Sequence, residues 1–478
     1  MKNKLFNIPI HSIILLVGPA NSGKTHLCKN VLLPELSKNS RPDRATNIQY
    51  ISAEDISRSI GQLHFEDFHK YSNEMVYTSE MAMDMICNRV KNVTSYPLNA
   101  EYVVVDTVGL SDSFRQRLIG IAKESQYNIG AVVMNFNDKK EYFKYVPEDE
   151  KDFFIPVIKN GLQVMKNDGK PLIAKKDFKF VHNIESIEFN GIGFESSNFQ
   201  DFQERILNPN IKHVVIGDAH GCLDELKELI IENGFEIDEN GIIKSSMRRI
   251  ILVGDIVDKG PKIKEIIKFV FDNCKAGTMS MVVGNHENFV VKFLQGDIEI
   301  EEDRMKKGVL IKAVITEEFL RTYMNSVFIL EDDEETKNML FELVEKSKEF
   351  YIHRDFIVTH APCKKKYLGK MDNHSLRAQR MITYPKRKDA SSDEEYVKDV
   401  EDFFHFLKPN REGTPFHLFG HVQCESMTIG NRVNLDTGCV SGGKLTSATV
   451  LPDRTIEMKS VESKQPKVKE LFRFFDKK

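Results

Sequence analysis

Five short blocks between Asp218 and His421 concentrate residue types that bind metal ions: Gly217-Asp218-Ala219-His220-Gly221, Gly254-Asp255-Ile256-Val257-Asp258-Lys259-Gly260, Gly284-Asn285-His286-Glu287, Thr359-His360-Ala361 and Gly420-His421. Asp218, His220, Asp255, Asn285, His360 and His421 together offer enough oxygen and nitrogen donors to wrap two divalent ions. That donor mix suits Mn²⁺, Fe or Ni²⁺ better than a thiolate zinc site would. A pair of such ions activates a water and clamps the oxygens of a phosphoryl group during in-line displacement. His286 is left over for acid chemistry. Any one block reads equally well as a strand-turn junction rich in Gly and Asp. Five in order on one chain point to phosphoester hydrolysis.

A second chemical signal lies near the N-terminus. Gly18-Pro19-Ala20-Asn21-Ser22-Gly23-Lys24-Thr25 fits G-x-x-x-x-G-K-[ST], the loop whose backbone N–H groups cradle nucleotide phosphates. Lys24 would reach the outer phosphates and the Thr25 hydroxyl would hold Mg²⁺, so Mg-ATP is the expected cofactor. Downstream, Asp55 and Arg58 stand three apart, as a base for an attacking hydroxyl and a grip for an acceptor phosphate would. The bland alternative is a helix-capping Asp55 beside a solvated Arg58. Val103-Val104-Val105-Asp106 ends in a carboxylate that could stand beside the Mg²⁺, or close an ordinary strand-end turn.

The elements that must position these groups are short apolar runs. Ile13 to Val17 precedes the phosphate loop, and a helix-length segment from His26 to Leu36 follows it. Val214 to Ile216, Ile250 to Val253, Met281 to Val283 and Phe356 to Val358 each lead into a metal-donor block. Ligands at the tips of buried strands are where a sheet enzyme carries its site.

The five blocks resemble the binuclear metallophosphoesterase superfamily, which includes serine/threonine phosphatases and diadenosine tetraphosphatases. The resemblance implies that Asp218 and His220 hold the first metal, that Asp255 bridges, and that Asn285, His360 and His421 complete the second. It implies that His286 assists the leaving oxygen, oriented by Asp258, with Lys259 facing the phosphate. Read together with Ile8-Pro9-Ile10, the Asp55/Arg58 pair and the spacing from Asp106 to Arg115, the chain resembles bacterial polynucleotide kinase-phosphatases. That likeness makes Arg115 an acceptor-binding candidate beside Arg58. The implied fold class is α/β: a P-loop kinase domain with a parallel sheet and flanking helices, then a calcineurin-like domain, a β-sandwich with flanking helices.

Three departures bear on that resemblance. Residues 138–160, where the family carries an arginine-rich lid, hold five lysines and no arginine. Lysines neutralise phosphates without gripping them bidentately. Lys259 stands where the phosphatases usually have arginine, and the RNA ligase often fused in that family does not follow by Lys478, with a separate RNA ligase one candidate partner. Lys166-Asn167-Asp168-Gly169 matches the ligase nucleophile pattern but has no room for that fold and reads as a turn.

These signals fit an end-healing enzyme with a 5′-OH kinase and a 3′-phosphatase or 2′,3′-cyclic phosphodiesterase, acting on RNA or DNA ends. Two other readings stand beside it: a diadenosine polyphosphate hydrolase or nucleotidase with an ATP-binding domain, and a protein phosphatase with a regulatory P-loop ATPase.

Length and composition agree with two modules. The expected limits are a kinase-like domain over 1–200, a linker over 201–210, a phosphoesterase domain over 211–460 with a helical insertion near 293–351, and a basic tail over 461–478. Hydrophobic residues make up 41% and charged residues 29%, and no apolar run reaches membrane-spanning length. The seven cysteines form no C-x-x-C pair, which fits a cytoplasmic enzyme with free thiols, Cys222 among them as a packed thiol. A net charge of −4 argues against a nucleic-acid coat protein, not against gripping one strand end through local patches such as Lys364 to Lys366, Lys386 to Lys388 or the tail. Residues 386–395 read as a loop, and the oligomeric state is left open, a homodimer included.

Overall fold

Apolar runs of three to five residues, too short for buried helices, form strands or strand ends in the computed structural model. It describes residues 4–61, 72–166, 177–297, 304–306, 309–311, 316–381, 414–424 and 427–467. The chain divides into two units, Met1–Glu204 with Lys370–Asp372, and Arg205–Gly369 with Asn373–Lys478. A helix, Phe199–Gln203, occupies the start of the stretch read as a linker. The patch at 386–388, the loop at 386–395, residues 167–169 and the end of the basic tail lie outside the described residues.

The first unit contains strands β1 (Lys4–Asn7), β2 (Ser12–Val17), β3 (Ile48–Ser52), β4 (Tyr102–Asp106), β5 (Asn128–Met134), β6 (Phe180–Ile184) and β7 (Ile192–Glu195). Five of them form a parallel sheet in the order β3-β4-β2-β5-β6, while β1 pairs with β7. Every residue of β2 and β4 is buried, as expected of a parallel sheet covered on both faces. The period-2 alternation of a strand sends Ile13, Leu15 and Val17 into one core and Ile14 and Leu16 into the other. Each such fully buried aliphatic side chain contributes about 1.5–3 kcal/mol. The central position of β2 puts the loop after it at the middle of one sheet edge.

The second unit carries β8 (Lys212–Ile216), the short pair β9 (Glu236–Ile237) and β10 (Ile243–Lys244), β11 (Arg248–Leu252), β12 (Met279–Met281), the pair β13 (Arg304–Lys306) and β14 (Val309–Ile311), β15 (Phe350–Ile352), β16 (Phe356–Thr359), β17 (Phe416–Phe419), β18 (Met427–Ile429), β19 (Arg432–Asn434), β20 (Lys444–Val450) and β21 (Ile456–Glu462). Two five-stranded sheets result, β12-β11-β8-β20-β21 and β15-β16-β17-β19-β18. Val215, Ile251, Val253, Val358, Leu418 and Val433 share one core that draws on both sheets. Val214, Ile216, Ile250 and Leu252 point the other way, into a core with Leu226, Leu229, Ile266 and Val270 from the helices Leu223–Glu232 and Ile263–Lys275. The expected helical insertion is mixed: the antiparallel pair β13–β14 precedes helices Glu317–Tyr323, Ser326–Leu330 and Glu334–Lys346. Among the described residues no helix is long and apolar enough to cross a membrane.

Candidate functional site

In the second unit five strand ends deliver the metal-donor residues. Asp218 follows β8, Asp255 follows β11, and Asn285 opens the helix Asn285–Leu294 after β12; His360 and His421 follow β16 and β17 of the other sheet. Asp255 sits at the centre of them. Its Oδ2 lies 3.3 Å from His360 Nε2 and 3.8 Å from both His220 Nε2 and His286 Nε2. His360 Nε2 also stands 2.9 Å from Asn285 Oδ1 and 3.1 Å from His421 Nδ1. Asp218 joins through Oδ2, which accepts the His421 backbone N–H at 3.0 Å.

Backbone carbonyls set the histidine tautomers. His220 Nδ1 is 2.7 Å from the Val257 carbonyl and His360 Nδ1 is 2.8 Å from that of Val253. Both Nδ1 atoms therefore carry the proton, and Nε2 is left to face the cage. The donor groups shift one another strongly. Burial, then Asp436, pushes the Asp218 carboxyl well above its usual range. Burial works the same way on Asp255 but is outweighed by His360 and His286, which hold it well below. For His360 burial favours the neutral ring, yet Asp255, Asp218 and Glu287 push it up to about 10. Burial and the neighbouring His360 bring His421 down to about 3.

Those donors fit a pair of divalent ions. His220, Asp255 and His286 form one group of ligand atoms within 4.8 Å of one another, and Asp255, His360 and His421 form another. Asp218 Oδ1 is buried with no hydrogen-bond partner. Two glycines keep the carboxylates accessible. A Cβ on Gly420 would stand 1.9 Å from Asp218 Oδ1, and one on Gly284 would stand 2.1 Å from Asp255 Oδ1. Bound there, two metals would polarise a phosphoryl group and supply a nucleophilic water. Beside these donors lies a histidine–aspartate pair. His286 turns Nδ1 to the wholly buried Asp258 at 2.6 Å, which leaves Nε2 aimed into the cage. Asp258 is itself fixed by the Ser326 backbone N–H at 2.9 Å. Lys259 Nζ lies 3.3 Å from His220 Nε2 at the cage's edge.

Two residues there escaped the sequence reading. Glu287 is wholly buried, and its carboxylate accepts the backbone N–H groups of Asp255, Ile256, Val257 and Gly284 at 2.6–3.2 Å. Burial, then Asp255, raises it to about 7. It clamps the loop that carries the central carboxylate. Its place in the block with Asn285 and His286 was the available signal. Asp436, buried just past β19, was hidden because Arg432-Val433-Asn434 lacks the apolar run that marks the other strands. The loops hold an unusual backbone: His220, Asp255, Asp258, Lys259 and His421 all have φ between 41° and 71°.

In the first unit, Gly18 to Lys24 turn from β2 into a helical stretch that starts at Lys24–Leu27 and runs on to Ser37. Lys24 folds back under the loop, with Nζ donating to the Gly18 carbonyl at 3.1 Å, the Pro19 carbonyl at 2.6 Å and Ser22 Oγ at 3.3 Å. Burial lowers it to about 8, against the opposing pull of Asp106. Gly23, at φ 76°, rests against Phe189. Thr25 Oγ1 donates to Asp106 Oδ2 at 2.7 Å, and Tyr50 OH donates to the same oxygen at 2.7 Å. The structure thus gathers Lys24, Thr25 and Asp106 at one sheet edge. Asp55 and Arg58 are exposed on the helix Ala53–Gly61 directly after β3, where Arg58 pairs with Glu54. Asp55 N–H meets Ser52 Oγ at 3.1 Å. Arg115 is buried and donates to the Gly109 and Leu110 carbonyls at 2.9 and 2.8 Å, bracing the loop after β4. The helix Lys151–Met165 brings Gly161 against Pro19 of the loop after β2.

Comparison with known proteins bears on the second unit. The calcineurin-like phosphoesterase family matches residues 211–436. The asymmetrical bis(5′-nucleosyl)-tetraphosphatase PrpE of Oceanobacillus iheyensis is 30% identical over 266 residues, which are 55% of this chain and 96% of that protein. Its namesake from Bacillus subtilis is 27% identical over 262 residues, covering 54% of this chain and 98% of that protein. A solved serine/threonine phosphatase from Saccharomyces cerevisiae matches 53% of this chain and 81% of its own at 13% identity, with a TM-score of 0.32. All five strand-end blocks fall inside the matched segment, and through it the chain belongs to the calcineurin-like phosphoesterase family.

Proposed function

We propose that this phosphoesterase is one half of a bifunctional enzyme that prepares broken RNA or DNA ends for sealing. The N-terminal unit would use Mg-ATP to phosphorylate a 5′-hydroxyl. The C-terminal unit would remove a 3′-phosphate, or open a 2′,3′-cyclic one, with two divalent ions, Mn²⁺ foremost. The observation that carries the first half is the Thr25–Asp106 bond of 2.7 Å beside the loop-held Lys24. A Mg-nucleotide asks for that trio: a hydroxyl ligand, a carboxylate behind it and a lysine for the outer phosphates. In the transfer, the 5′-oxygen attacks the γ-phosphorus, Asp55 takes the hydroxyl proton and ADP leaves. Arg58 and Arg115 would serve the acceptor once released from Glu54 and from the loop carbonyls. RNA or DNA ends and ATP are the proposed partners, with a separate RNA ligase as one candidate beside them. All seven cysteines are free thiols, which fits the cytoplasm as the compartment.

A second reading has its own support. The relatives at 27–30% identity bear the name of dinucleoside tetraphosphate hydrolases, and the metal cage would act equally on a polyphosphate bridge. One experiment separates the two. The protein is incubated with γ-labelled ATP and a 5′-OH oligonucleotide, and separately, with Mn²⁺, with a 3′-phosphorylated oligonucleotide or diadenosine tetraphosphate. Labelled 5′-ends and release of the 3′-phosphate support end healing. Hydrolysis of the dinucleotide alone, without labelled ends, supports the second reading.

A further inference from the structure

The hydrogen bond between Tyr50 and Asp106 has no counterpart in the motifs that define the N-terminal site. Tyr50 lies on β3, half-buried, two residues before the strand's end, and β3 neighbours β4 with Ser52 in register with Asp106. Its phenol O–H donates to Asp106 Oδ2 at 2.7 Å, the oxygen that also accepts from Thr25 Oγ1 at 2.7 Å. Asp106 is itself buried, 6% exposed. Lys29 Nζ sits 5.4 Å from the centroid of the Tyr50 ring and supports it from the helical side.

Two donors on one carboxylate oxygen fix the carboxylate's rotation more tightly than either alone. A hydroxyl that ligates a metal through its lone pair still needs an acceptor for its own proton, and Asp106 Oδ2 is that acceptor for Thr25. We infer that Tyr50 is a positioning residue for the divalent metal at the phosphate loop: it locks Asp106 in the rotamer that turns the Thr25 lone pair toward the nucleotide's metal. This rests on the nucleotide reading of the loop. Tyr50 also ties that metal to the acceptor side, because β3 runs straight into the helix Ala53–Gly61 that bears Asp55 and Arg58. Losing a hydrogen bond to a charged group corresponds to roughly tenfold or more in an equilibrium constant, so Mg²⁺ dependence is where the effect should appear.

The test uses the full chain and a fluorescent ATP analogue, titrated with Mg²⁺ and, separately, bound in the presence of EDTA. For Tyr50→Phe the Mg²⁺ midpoint is expected to rise roughly tenfold, with metal-free binding unchanged. Thr25→Ala should raise it at least as much. The double variant should match Thr25→Ala alone, since both side chains act on one oxygen. A Tyr50→Phe midpoint equal to that of the parent, or additive effects in the double variant, overturns the inference. Equal weakening of metal-free binding also overturns it, because it marks a structural role only. If the parent chain binds the analogue neither with Mg²⁺ nor without, the nucleotide reading itself falls, an outcome distinct from failure of the Tyr50 assignment.

Discussion

If His286 is the acid for the leaving oxygen, replacing Asp258 with asparagine should weaken it without altering the metal donors. Asp258 is wholly buried, accepts the Ser326 N–H at 2.9 Å on Oδ1 and meets His286 Nδ1 at 2.6 Å on Oδ2. Asparagine has the same shape and keeps an oxygen for Ser326, but it turns an amide N–H toward Nδ1. That group can only donate, so the ring must accept there and carry its proton at Nε2. The buried anion that supports a protonated ring is then gone, and with it a charge-assisted bond of about 1.5–3 kcal/mol. Turnover should fall roughly 10- to 150-fold on an alkyl phosphate, whose leaving oxygen needs a proton. On p-nitrophenyl phosphate, whose phenolate leaves unaided, the loss should stay below about threefold. Steady-state kinetics on both substrates at saturating Mn²⁺ reads the split, and calorimetry checks that Mn²⁺ binding is unchanged, since Asp258 is not a cage donor. Equal losses on the two substrates would refute the acid assignment and make Asp258 a scaffold residue.

Lys24→Ala should abolish ATP-dependent labelling of 5′-OH ends and leave Mn²⁺-dependent phosphomonoester hydrolysis intact, while Asp255→Ala does the reverse; loss of both activities in either variant means one composite site. Asp55→Ala should lower phosphoryl transfer roughly 10²- to 10⁴-fold with ATP affinity unchanged, and parent-like transfer would leave Asp55 as a carboxylate in the first turn of its helix. Glu287→Gln replaces one of two accepting oxygens with a donor that faces backbone N–H groups. Urea unfolding should show a loss of about 3 kcal/mol, and Mn²⁺ titration a weaker affinity; a loss below about 1 kcal/mol argues against the clamp.

What could be read from the sequence was local. Gly217-Asp218, Gly254-Asp255 and Thr359-His360 each follow an apolar run, so their place at strand ends follows from the pattern of strand and turn. The turn from β2 into the helix at Lys24 was legible for the same reason, with Ile13 to Val17 before it. What stayed hidden depends on partners distant in sequence. Nothing near Glu287 says that its carboxylate will gather N–H groups some 30 residues away, and nothing near Tyr50 says that its phenol will meet Asp106. Arg115 has the composition of a substrate-gripping residue, but burial directs its guanidinium to the Gly109 and Leu110 carbonyls. The charged stretch around 293–351 looked helical throughout. Its β13–β14 pair, three residues to a strand, is too short to give a readable alternation.

Among the described residues, half of the ten non-glycine positions with left-handed backbone are the cage residues His220, Asp255, Asp258, Lys259 and His421. Such a conformation costs about 1–2 kcal/mol per residue, somewhat less for aspartate, so the five together weigh about as much as a small domain's entire net stability. The loops therefore keep their shape on credit from the Glu287 clamp and from whatever cations the cage holds. Selection for heat resistance alone would relax that burden by drifting toward glycine, first at exposed Lys259, which is no cage donor. Selection for turnover would hold the strained residues in place. In this chain the two pressures meet at the same few peptide units, and a thermostabilised descendant should be checked there before its activity is trusted.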